Sequence, residues 1–334
     1  MGPHRRRTPS DLPGSRRVTT EPIAVLAGGV GAARYLRGAA RALPPEHITA
    51  VVNTGDDWRV HGLAVSPDLD TITYTLAEAI DPERGWGLVD ETWHALASLG
   101  RYAAVRPPGS TAATEWFGLG DRDLATHMYR TARLEEGADL TTVTDEIRRA
   151  WDIATHIVPM SNDPQATIVE TSDYGDLAFQ EYFVRHRHDI AIEGVRFDGD
   201  AELSPRARNV LEDASRIVIA PSNPVVSIGP IRHLPGVDEL LTDRRDDVVA
   251  VSPIVGGAAL KGPADRMLRE LGHEPSVEGI ARWYAPIAAT LVIDTVDADA
   301  APAVERAGMR AVVTESVMST PDIAQRLAAV TLSK

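Results

Sequence analysis

Several aspartates early in the chain have the residue type and spacing of a metal or phosphate-transfer site. Asp56 and Asp57 stand four and five residues after the end of a short apolar segment at 48–52, and Asp68 and Asp70 come soon after. Carboxylates this close repel one another without a cation, and hard oxygen ligands suit Mg²⁺. Asp56 is therefore the strongest candidate for a metal or substrate contact. Asp68 could instead cap the next helix, and Asp57 could be a solvated charge.

A glycine-rich turn follows the first apolar segment, at 23–27. Gly28, Gly29 and Gly31 would let the backbone approach a phosphate, and the helix that follows would present its N-terminal N–H groups. The turn is not a Walker A loop, because no Lys-Ser/Thr pair follows it. It also departs from G-x-G-x-x-G, since Arg34 stands at the third glycine position. A tight strand–helix turn without a ligand is the alternative interpretation.

Two later segments carry further polar groups. Ser222 and Asn223 stand between prolines that stiffen the loop, so both side chains could hydrogen-bond a nucleotide, with a rigid turn as the alternative. Asp123 and His127 are four residues apart on one predicted helix face, which permits a metal pair or simply a capped helix start. Arg122 could bind a phosphate or carboxylate through two hydrogen bonds.

The strands and helices that must position these residues are predicted to form an α/β fold. A strand at 23–27, the glycine turn, a helix ending before Pro44 and a strand at 48–52 are the opening of a doubly wound sheet. In such sheets ligands bind beyond the carboxyl ends of the strands. We therefore predict a Rossmann-like, mostly parallel α/β domain over 23–334.

Two segments are expected to depart from this pattern. We predict a smaller, partly β insertion at about 155–200, including a strand at 177–185, and a disordered basic tail at 1–22. Within the main domain, we also predict a helix over 90–99 with Asp90 as its N-cap.

The composition argues against several classes of protein. The formal net charge is −14, which argues against nucleic-acid binding. The absence of cysteine excludes disulfides and thiolate catalysis and fits a cytoplasmic protein. No apolar run approaches a membrane span, so we expect no membrane partner. Without a G-x-S-x-G elbow, direct transfer by positioning is favoured over covalent catalysis.

The same segments resemble the 2-phospho-L-lactate transferase family of coenzyme F-420 biosynthesis. The resemblance runs in order from about residue 23 to the C-terminus, and its long motifs are more specific than a glycine turn alone. The motifs are AGGVGAAR at 27–34, VVNTGDDW at 51–58, SPDLDT at 66–71, LGDRDLATH at 119–127, PMSND at 159–163, APSNPVVSIGP at 220–230 and VSPIVG at 251–256.

The resemblance implies a Mg²⁺-dependent transferase with a Rossmann-like core that forms a homodimer. Such an enzyme moves a phosphate bearing a lactyl or enolpyruvyl group from a guanosine diphospho donor to a hydroxyl of the deazaflavin Fo, and GMP leaves. The segments RGWG at 84–87 and DETWH at 90–94 are similar to bacterial members. They favour the enolpyruvyl donor, which gives dehydro-F-420-0.

The resemblance also implies roles for individual residues. The implied magnesium ligands are Asp56 and Asp57, and the implied catalytic residues are Asp56 and Asp70. The implied deazaflavin-binding residues are Asp68, Asp70, Thr71, Arg122 and Asp123. The implied nucleotide-binding residues are Gly28, Gly29, Gly31, Arg34, Ser222 and Asn223.

The sequence leaves two other functions as alternatives. A non-catalytic nucleotide-binding regulator of the gluconeogenesis-factor type would share the fold and part of the glycine and aspartate pattern. The acceptor motifs at 67–70 and 119–123 favour the transferase over this regulator. A Rossmann oxidoreductase would want an acidic ribose-binding residue, which Asp56 could supply, but the missing third glycine argues against it.

Overall fold

The computed structural model describes residues 21–108, 110–260 and 262–333. The predicted N-terminal tail, apart from its last two residues, lies outside this range. The strands are β1 (Ile23–Ala27), β2 (Ile48–Val52), β3 (Trp58–Val60), β4 (Leu63–Val65), β5 (His156–Pro159), β6 (Ala166–Thr171), β7 (Gly175–Ala178), β8 (Gly194–Asp198), β9 (Arg216–Ile219), β10 (Val248–Val251), β11 (Ile254–Val255), β12 (Ala258–Ala259), β13 (Thr290–Ile293) and β14 (Arg310–Val313).

The α-helices lie mostly between these strands. They are α1 (Gly29–Ala42), α2 (Pro67–Leu76), α3 (His94–Ala103), α4 (Asp123–Glu135), α5 (Leu140–Ala150), α6 (Pro205–Asp213), α7 (Gly229–His233), α8 (Val237–Asp243), α9 (Ala264–Glu270), α10 (Val277–Tyr284), α11 (Ala301–Arg306) and α12 (Pro321–Leu332). Across the described parts of the chain, none of these helices has the length and apolar character needed to cross a bilayer.

A seven-stranded parallel sheet forms the centre of the fold, in the order β14-β13-β10-β9-β1-β2-β5. The chain runs from β1 outward through β2 to β5, then returns to the other side of β1 with β9 and continues to β14. This reversal of direction makes the gap between β1 and β9 the switch point of a doubly wound sheet, where ligands bind. The predicted Rossmann-like α/β fold is confirmed.

Strand β1 shows why its sequence is continuously apolar. All five of its residues are buried, because both faces of the sheet are covered by helices. Ala24 and Leu26 pack into a core with residues of α6, α8, α9 and α10. Ile23, Val25 and Ala27 point to the opposite face and pack with α1, α2 and α12. The alternation of side chains along a strand therefore divides the interior into two layers.

In the structure, the segment predicted as an insertion contributes strands to two different sheets. Strand β5, which the prediction placed at its start, pairs with β2 at the edge of the central sheet. Its four residues, of which the last is a proline, are too short to show a periodicity of their own. The strands β7, β6 and β8 form a separate antiparallel sheet in that order.

Two predicted elements begin or end at other residues in the structure than the sequence predicts. The strand predicted at 177–185 ends at Ala178, and Glu181–Arg185 is a π-helical turn. Alternating apolar residues suggested a strand there, but Phe179 and Phe183 are also spaced for one helix face. The helix predicted from Asp90 begins at His94, because Asp121 accepts hydrogen bonds from the N–H groups of His94 and Ala95.

Helices α1 and α12 approach closely at Gly38. A methyl group added there would lie 2.4 Å from the backbone carbonyl of Ala324, so only glycine fits. We expect Gly38→Ala to lower the free energy of unfolding by about 1–3 kcal/mol, because the two backbones must separate. Urea denaturation measures the change.

Gly100→Ala is the matched control for this prediction. Gly100 lies in α3, and the nearest atom to an added methyl group is the end of the flexible Glu115 side chain, at 2.9 Å. This substitution should leave the protein as stable or make it more stable, since alanine favours helix. Equal effects of the two substitutions would contradict the close approach of α1 and α12.

Candidate active site

A cavity of about 720 Å³ opens at the carboxyl ends of β1, β2, β9 and β10. Its volume is in the range of small-molecule sites. Most of the residues predicted from the sequence line it. They are Gly28, Gly29, Gly31, Arg34, Asp56, Asp68, Asp70, Thr71, Asp123, Ser222 and Asn223.

Asp68 connects the glycine turn to the end of β2. Its carboxylate accepts hydrogen bonds from the backbone N–H of Gly29, at 2.8 Å, and from Nδ2 of Asn53, at 2.9 Å. Asp68 therefore binds the first turn of α1, and the alternative that it caps α2 is wrong. Burial raises the pKa of Asp68 to about 6, although the two hydrogen bonds act in the opposite direction.

The glycine turn is packed against its neighbours. A methyl group on Gly28 would lie 2.8 Å from both Asp68 Oδ2 and Ser227 Cβ, and one on Gly31 would lie 2.2 Å from the carbonyl oxygen of Pro221. Gly29 has a φ of 72°, in the left-handed region that favours glycine. These glycines are therefore required by packing and backbone conformation, whether or not a phosphate is bound.

Ser222 and Asn223 hold the loop after β9 against this turn. The Ser222 hydroxyl donates to the carbonyl oxygen of Gly28 at 2.8 Å and accepts from its N–H at 3.4 Å. Oδ1 of Asn223 accepts from the backbone N–H of Val225 at 2.9 Å. Both side chains thus build a rigid turn, and that turn forms part of the cavity wall.

Among the carboxylates that line the cavity, Asp56 has the least compensation. It is 7% exposed, and its Oδ1 has no hydrogen-bond partner in the described part of the chain. Burial raises the pKa of Asp56 well above its usual range, and the nearby charges of Asp68 and Asp57 raise it further. A buried carboxylate with an unpartnered oxygen, in a residue that lines a cavity, is a group that an incoming cation would stabilise.

Asp57 occupies a different place from its neighbour. It does not line the cavity, and its Oδ2 accepts a hydrogen bond from the Ser66 hydroxyl at 2.6 Å. Burial raises the pKa of Asp57 well above its usual range. The alternative that Asp57 is a solvated surface charge is therefore wrong.

The donor set fits Mg²⁺ better than a metal held by protein alone. Among the described residues, no group of three His, Cys, Asp or Glu side chains converges on one point. Mg²⁺ in phosphate-transfer sites is usually bound by one or two carboxylates, with substrate oxygens and water completing its shell. Asp56, with its free oxygen, matches that requirement.

Asp70 belongs to a second, internally compensated set of charges. Both of its oxygens bind the guanidinium of Arg130, a residue that is 2% exposed. Nη1 of Arg130 also lies 3.2 Å from Nδ1 of His127. His127 Nε2 lies 3.2 Å from Oδ1 of Asp123, and the Tyr74 hydroxyl donates to the same oxygen at 2.5 Å. This network joins α2 to α4 beside the cavity.

Sequence reasoning missed Arg130 and Tyr74. The spacing of Asp123, His127 and Arg130 places all three on one face of α4 and could have indicated the arginine. Burial would raise the pKa of Asp123, but its contacts with His127 and Tyr74 lower it below the usual range.

Arg122 does not line the cavity. Its guanidinium donates to the carbonyl oxygen of Val89 at 2.6 Å, and its backbone N–H donates to Glu91. The adjacent Asp121 accepts from the backbone N–H groups of His94 and Ala95, each at 2.9 Å, and so caps α3. Much of the segment at 120–122 therefore fixes two helix starts rather than contacting a ligand.

The charged residues of the cavity wall have an excess of negative charge. Arg34 and His127 are the basic residues among its described lining, against the carboxylates of Asp56, Asp68, Asp70 and Asp123. Because Arg130 pairs with Asp70, the repulsion comes mainly from the ionised forms of Asp56 and Asp68, which would repel a polyphosphate unless a cation accompanied it.

The chain is similar to known proteins over most of its length. The family model described as 2-phospho-L-lactate transferase CofD matches residues 23–330. A phosphoenolpyruvate transferase of Nocardia farcinica is 41% identical over 85% of this chain and 87% of its own length. One of Streptomyces coelicolor is 43% identical over 86% of this chain and 89% of its own. One of Streptomyces griseus is 41% identical over 92% and 96%.

Solved structures show the same fold at low sequence identity. A structure of a Bacillus halodurans protein has a TM-score of 0.59 and 16% identity, covering 94% of this chain and 100% of its own. A second, described as a member of the UPF0052 family, has a TM-score of 0.58 and 15% identity, covering 94% and 99%. The family match over nearly the whole described domain, and relatives at about 41% identity, establish that this chain belongs to the 2-phospho-L-lactate transferase CofD family.

Proposed function

We propose that this transferase moves an enolpyruvyl-phosphate group from a guanosine diphospho donor to the side-chain hydroxyl of the deazaflavin Fo, with a 2-phospho-L-lactyl group as the alternative donor group. GMP is released, and the product is dehydro-F-420-0 or F-420-0. The observation that carries this proposal is the cavity at the switch point, where the glycine turn and the unpartnered carboxylate of Asp56 share one wall. The names of the relatives favour the enolpyruvyl donor.

The nucleotide is best supported at the end of the cavity formed by α1 and the loop after β9. Asp68 accepts from the first of the N–H groups of α1, that of Gly29, but the following N–H groups of the first turn have no intrahelical partners, and such groups attract phosphate. Arg34, one helical turn further along α1, adds a positive charge to the same wall. The packing of Gly28 and Gly31 against Asp68, Ser227 and Pro221 fixes the backbone of this turn.

The reaction needs positioning and charge compensation more than covalent help from the protein. The hydroxyl oxygen of Fo forms a bond to the distal phosphorus, the bond from that phosphorus to the oxygen of GMP breaks, and the hydroxyl gives up its proton. Bound Mg²⁺ would neutralise the charge that develops on the phosphate oxygens. We propose Asp56 as the residue that holds it, whereas Asp57, which does not line the cavity, accepts a hydrogen bond from Ser66.

The acceptor is best supported on the opposite wall, near α2 and α4. Asp70, Thr71 and Asp123 line the cavity there and offer oxygens that can accept hydrogen bonds from the hydroxyl groups of Fo. Arg130 fixes the orientation of Asp70 through two hydrogen bonds. A cytoplasmic location and a homodimer remain predictions, and light scattering of the purified protein tests the latter.

The first test is transfer itself. Protein, Fo and Mg²⁺ with the enolpyruvyl donor should give dehydro-F-420-0 and an equal amount of GMP, and the lactyl donor should react more slowly. Asp56→Ala should lower kcat by 100-fold or more, because loss of a charge-stabilising group costs about 3 kcal/mol or more. Product mass and GMP release are measured together. Absence of product with both donors, in protein that is folded, would contradict the proposal.

The second test separates the role of Asp70 from its network. Arg130→Lys keeps the buried charge but loses the paired hydrogen bonds to Asp70, so we expect kcat/KM for Fo to fall roughly 10- to 100-fold. The KM for the donor should change little. Arg133→Lys, one turn along α4 and partly exposed beside Glu146, is the control and should leave both constants unchanged. Equal losses for both substrates would argue against an acceptor-side role.

The third test uses the raised pKa of Asp56. A carboxyl group whose pKa is higher in the folded state than in the unfolded state makes folding less favourable as the pH rises. The loss develops between the pKa of the unfolded state and the pKa of the folded state. In EDTA and without substrates, Asp56→Asn should therefore raise Tm at pH 8 by roughly 2–4 °C, for a gain on the order of 1 kcal/mol. The gain should shrink as the pH falls, because the cost of the raised pKa of Asp56 disappears once the residue is protonated in both the folded and the unfolded chain.

Asp294→Asn is the control of opposite sign. Asp294 is also buried, but hydrogen bonds from the backbone N–H groups of Ser316, Val296 and Val317 lower its pKa despite that burial. Its replacement should lower Tm at pH 8. A stabilising effect of both substitutions, or of neither, would show that Asp56 is not the uncompensated carboxylate.

A further inference from the structure

Trp86 is a large aromatic side chain in the wall of the cavity, and the proposed function assigns it no role. It is 44% exposed although it lines the cavity. The glycines on either side of it, Gly85 and Gly87, have φ angles of 77° and 67°, in the left-handed region. The chain therefore makes a tight turn that presents the indole ring outward instead of burying it.

The indole ring is held in place from behind. The Arg84 guanidinium lies 5.5 Å from the centre of the Trp86 ring and 5.4 Å from that of Trp93. Arg84 is itself fixed, because its Nη2 lies 2.9 Å from both the carbonyl oxygen of Leu88 and Oδ2 of Asp81. The Trp93 ring meets Trp86 edge-on at 6.0 Å. A cation against one face of the ring leaves the other face for a ligand.

Other aromatic rings of the cavity wall are less available. Phe183 is already stacked on two other rings, those of Phe179, at 5.4 Å, and His188, at 5.3 Å. Phe117 makes edge contacts with Trp58 at 4.9 Å and with Trp116 at 6.0 Å. Trp86 thus combines a fixed ring with exposed surface.

The position of Trp86 places it on the acceptor wall. A methyl group added at Gly118 would lie 3.1 Å from Cη2 of the indole ring, so the two residues are in close contact. Gly118 belongs to the segment Phe117-Gly118-Leu119, which lines the cavity and leads into the Asp123 end of α4. The ring is therefore continuous with the wall assigned to Fo.

We propose that Trp86 is the stacking platform for the planar tricyclic ring of the acceptor, with Arg84 and Trp93 holding the indole in position. This inference rests on the proposed function and assigns the ring-binding part of the same site. The side chain binds and selects the acceptor, and takes no part in bond making. A planar heteroaromatic ring suits this platform because stacking requires a flat π surface and no matched hydrogen bonds.

Direct binding of Fo, without donor or Mg²⁺, tests this assignment. Equilibrium dialysis measures the Kd of Fo, and a separate titration measures the Kd of GDP, for each variant. Trp86→Ala should weaken Fo binding by about tenfold or more, the range found when an aromatic stacking partner is removed. Trp86→Phe should be affected less, because it retains a flat ring. GDP affinity and Tm should stay as in the wild type in both variants.

Trp116→Phe is the matched control. Trp116 stacks on Trp58 at 5.1 Å and does not line the cavity, so its replacement should leave Fo affinity unchanged. Gly118→Ala keeps the indole but pushes its outer edge, and should also weaken Fo binding.

The possible outcomes distinguish this inference from the proposed function. If the wild type and Trp86→Ala bind Fo equally, the platform is wrong while the transferase proposal stands. If Trp86→Ala loses GDP affinity at an unchanged Tm, the indole serves the nucleotide, and the assignment is overturned. If wild-type protein does not bind Fo at all, the acceptor proposal fails and the platform fails with it.

Discussion

The cavity of this protein depends on a buried carboxylate that joins three parts of the chain. Asp68 binds the first N–H of α1 and the side chain of Asn53 at the end of β2, and it lies against Gly28. Because β1 and β2 are neighbours in the sheet, this contact sets the spacing between the glycine turn and the aspartates that follow β2. Burial disfavours the ionised form of Asp68, as its pKa of about 6 indicates.

The carboxylates of the cavity differ in how their charge is compensated. Asp70 is bound by the guanidinium of Arg130, and Asp123 contacts His127 and Tyr74. Asp56 has a buried oxygen with no partner within the described residues. Removing a charge from water without compensation is costly, so an unpartnered carboxylate of this kind is found mainly where function requires it. The contrast separates a side of the cavity near α2 and α4, where the carboxylates are paired, from the end of β2, where Asp56 is not.

Helix capping explains how a motif close to the cavity can be structural. Asp121 caps α3, while Glu91, three residues before α3, binds the first N–H groups of α4. The two carboxylates thus cap each other's helices, and Gly120 leaves room for the Glu91 side chain. This arrangement sets the orientation of α4 and, through it, of Asp123 and His127. The RGWG turn is attached to the same region through Gly118.

Local sequence was sufficient for much of the central fold. The continuous apolar run of β1, the glycine turn and the prolines after α1 indicated a doubly wound sheet, because these patterns act within one element. The same reasoning located the strand ends, and most predicted site residues do line one cavity. It could not place β5, whose four residues show no period of their own, or the start of α3, which a residue distant in sequence determines.

What the sequence by itself determined, therefore, is the fold class and which residue types stand at the ends of its strands. Tertiary structure decided the partners: Asp70 with Arg130, Asp68 with Gly29 and Asn53, and Arg122 with the Val89 carbonyl instead of the cavity. The periodicity of apolar residues that predicts a strand or helix is a property of residues close together in sequence. The burial, pairing and pKa of a charged side chain depend instead on which distant segments pack around it.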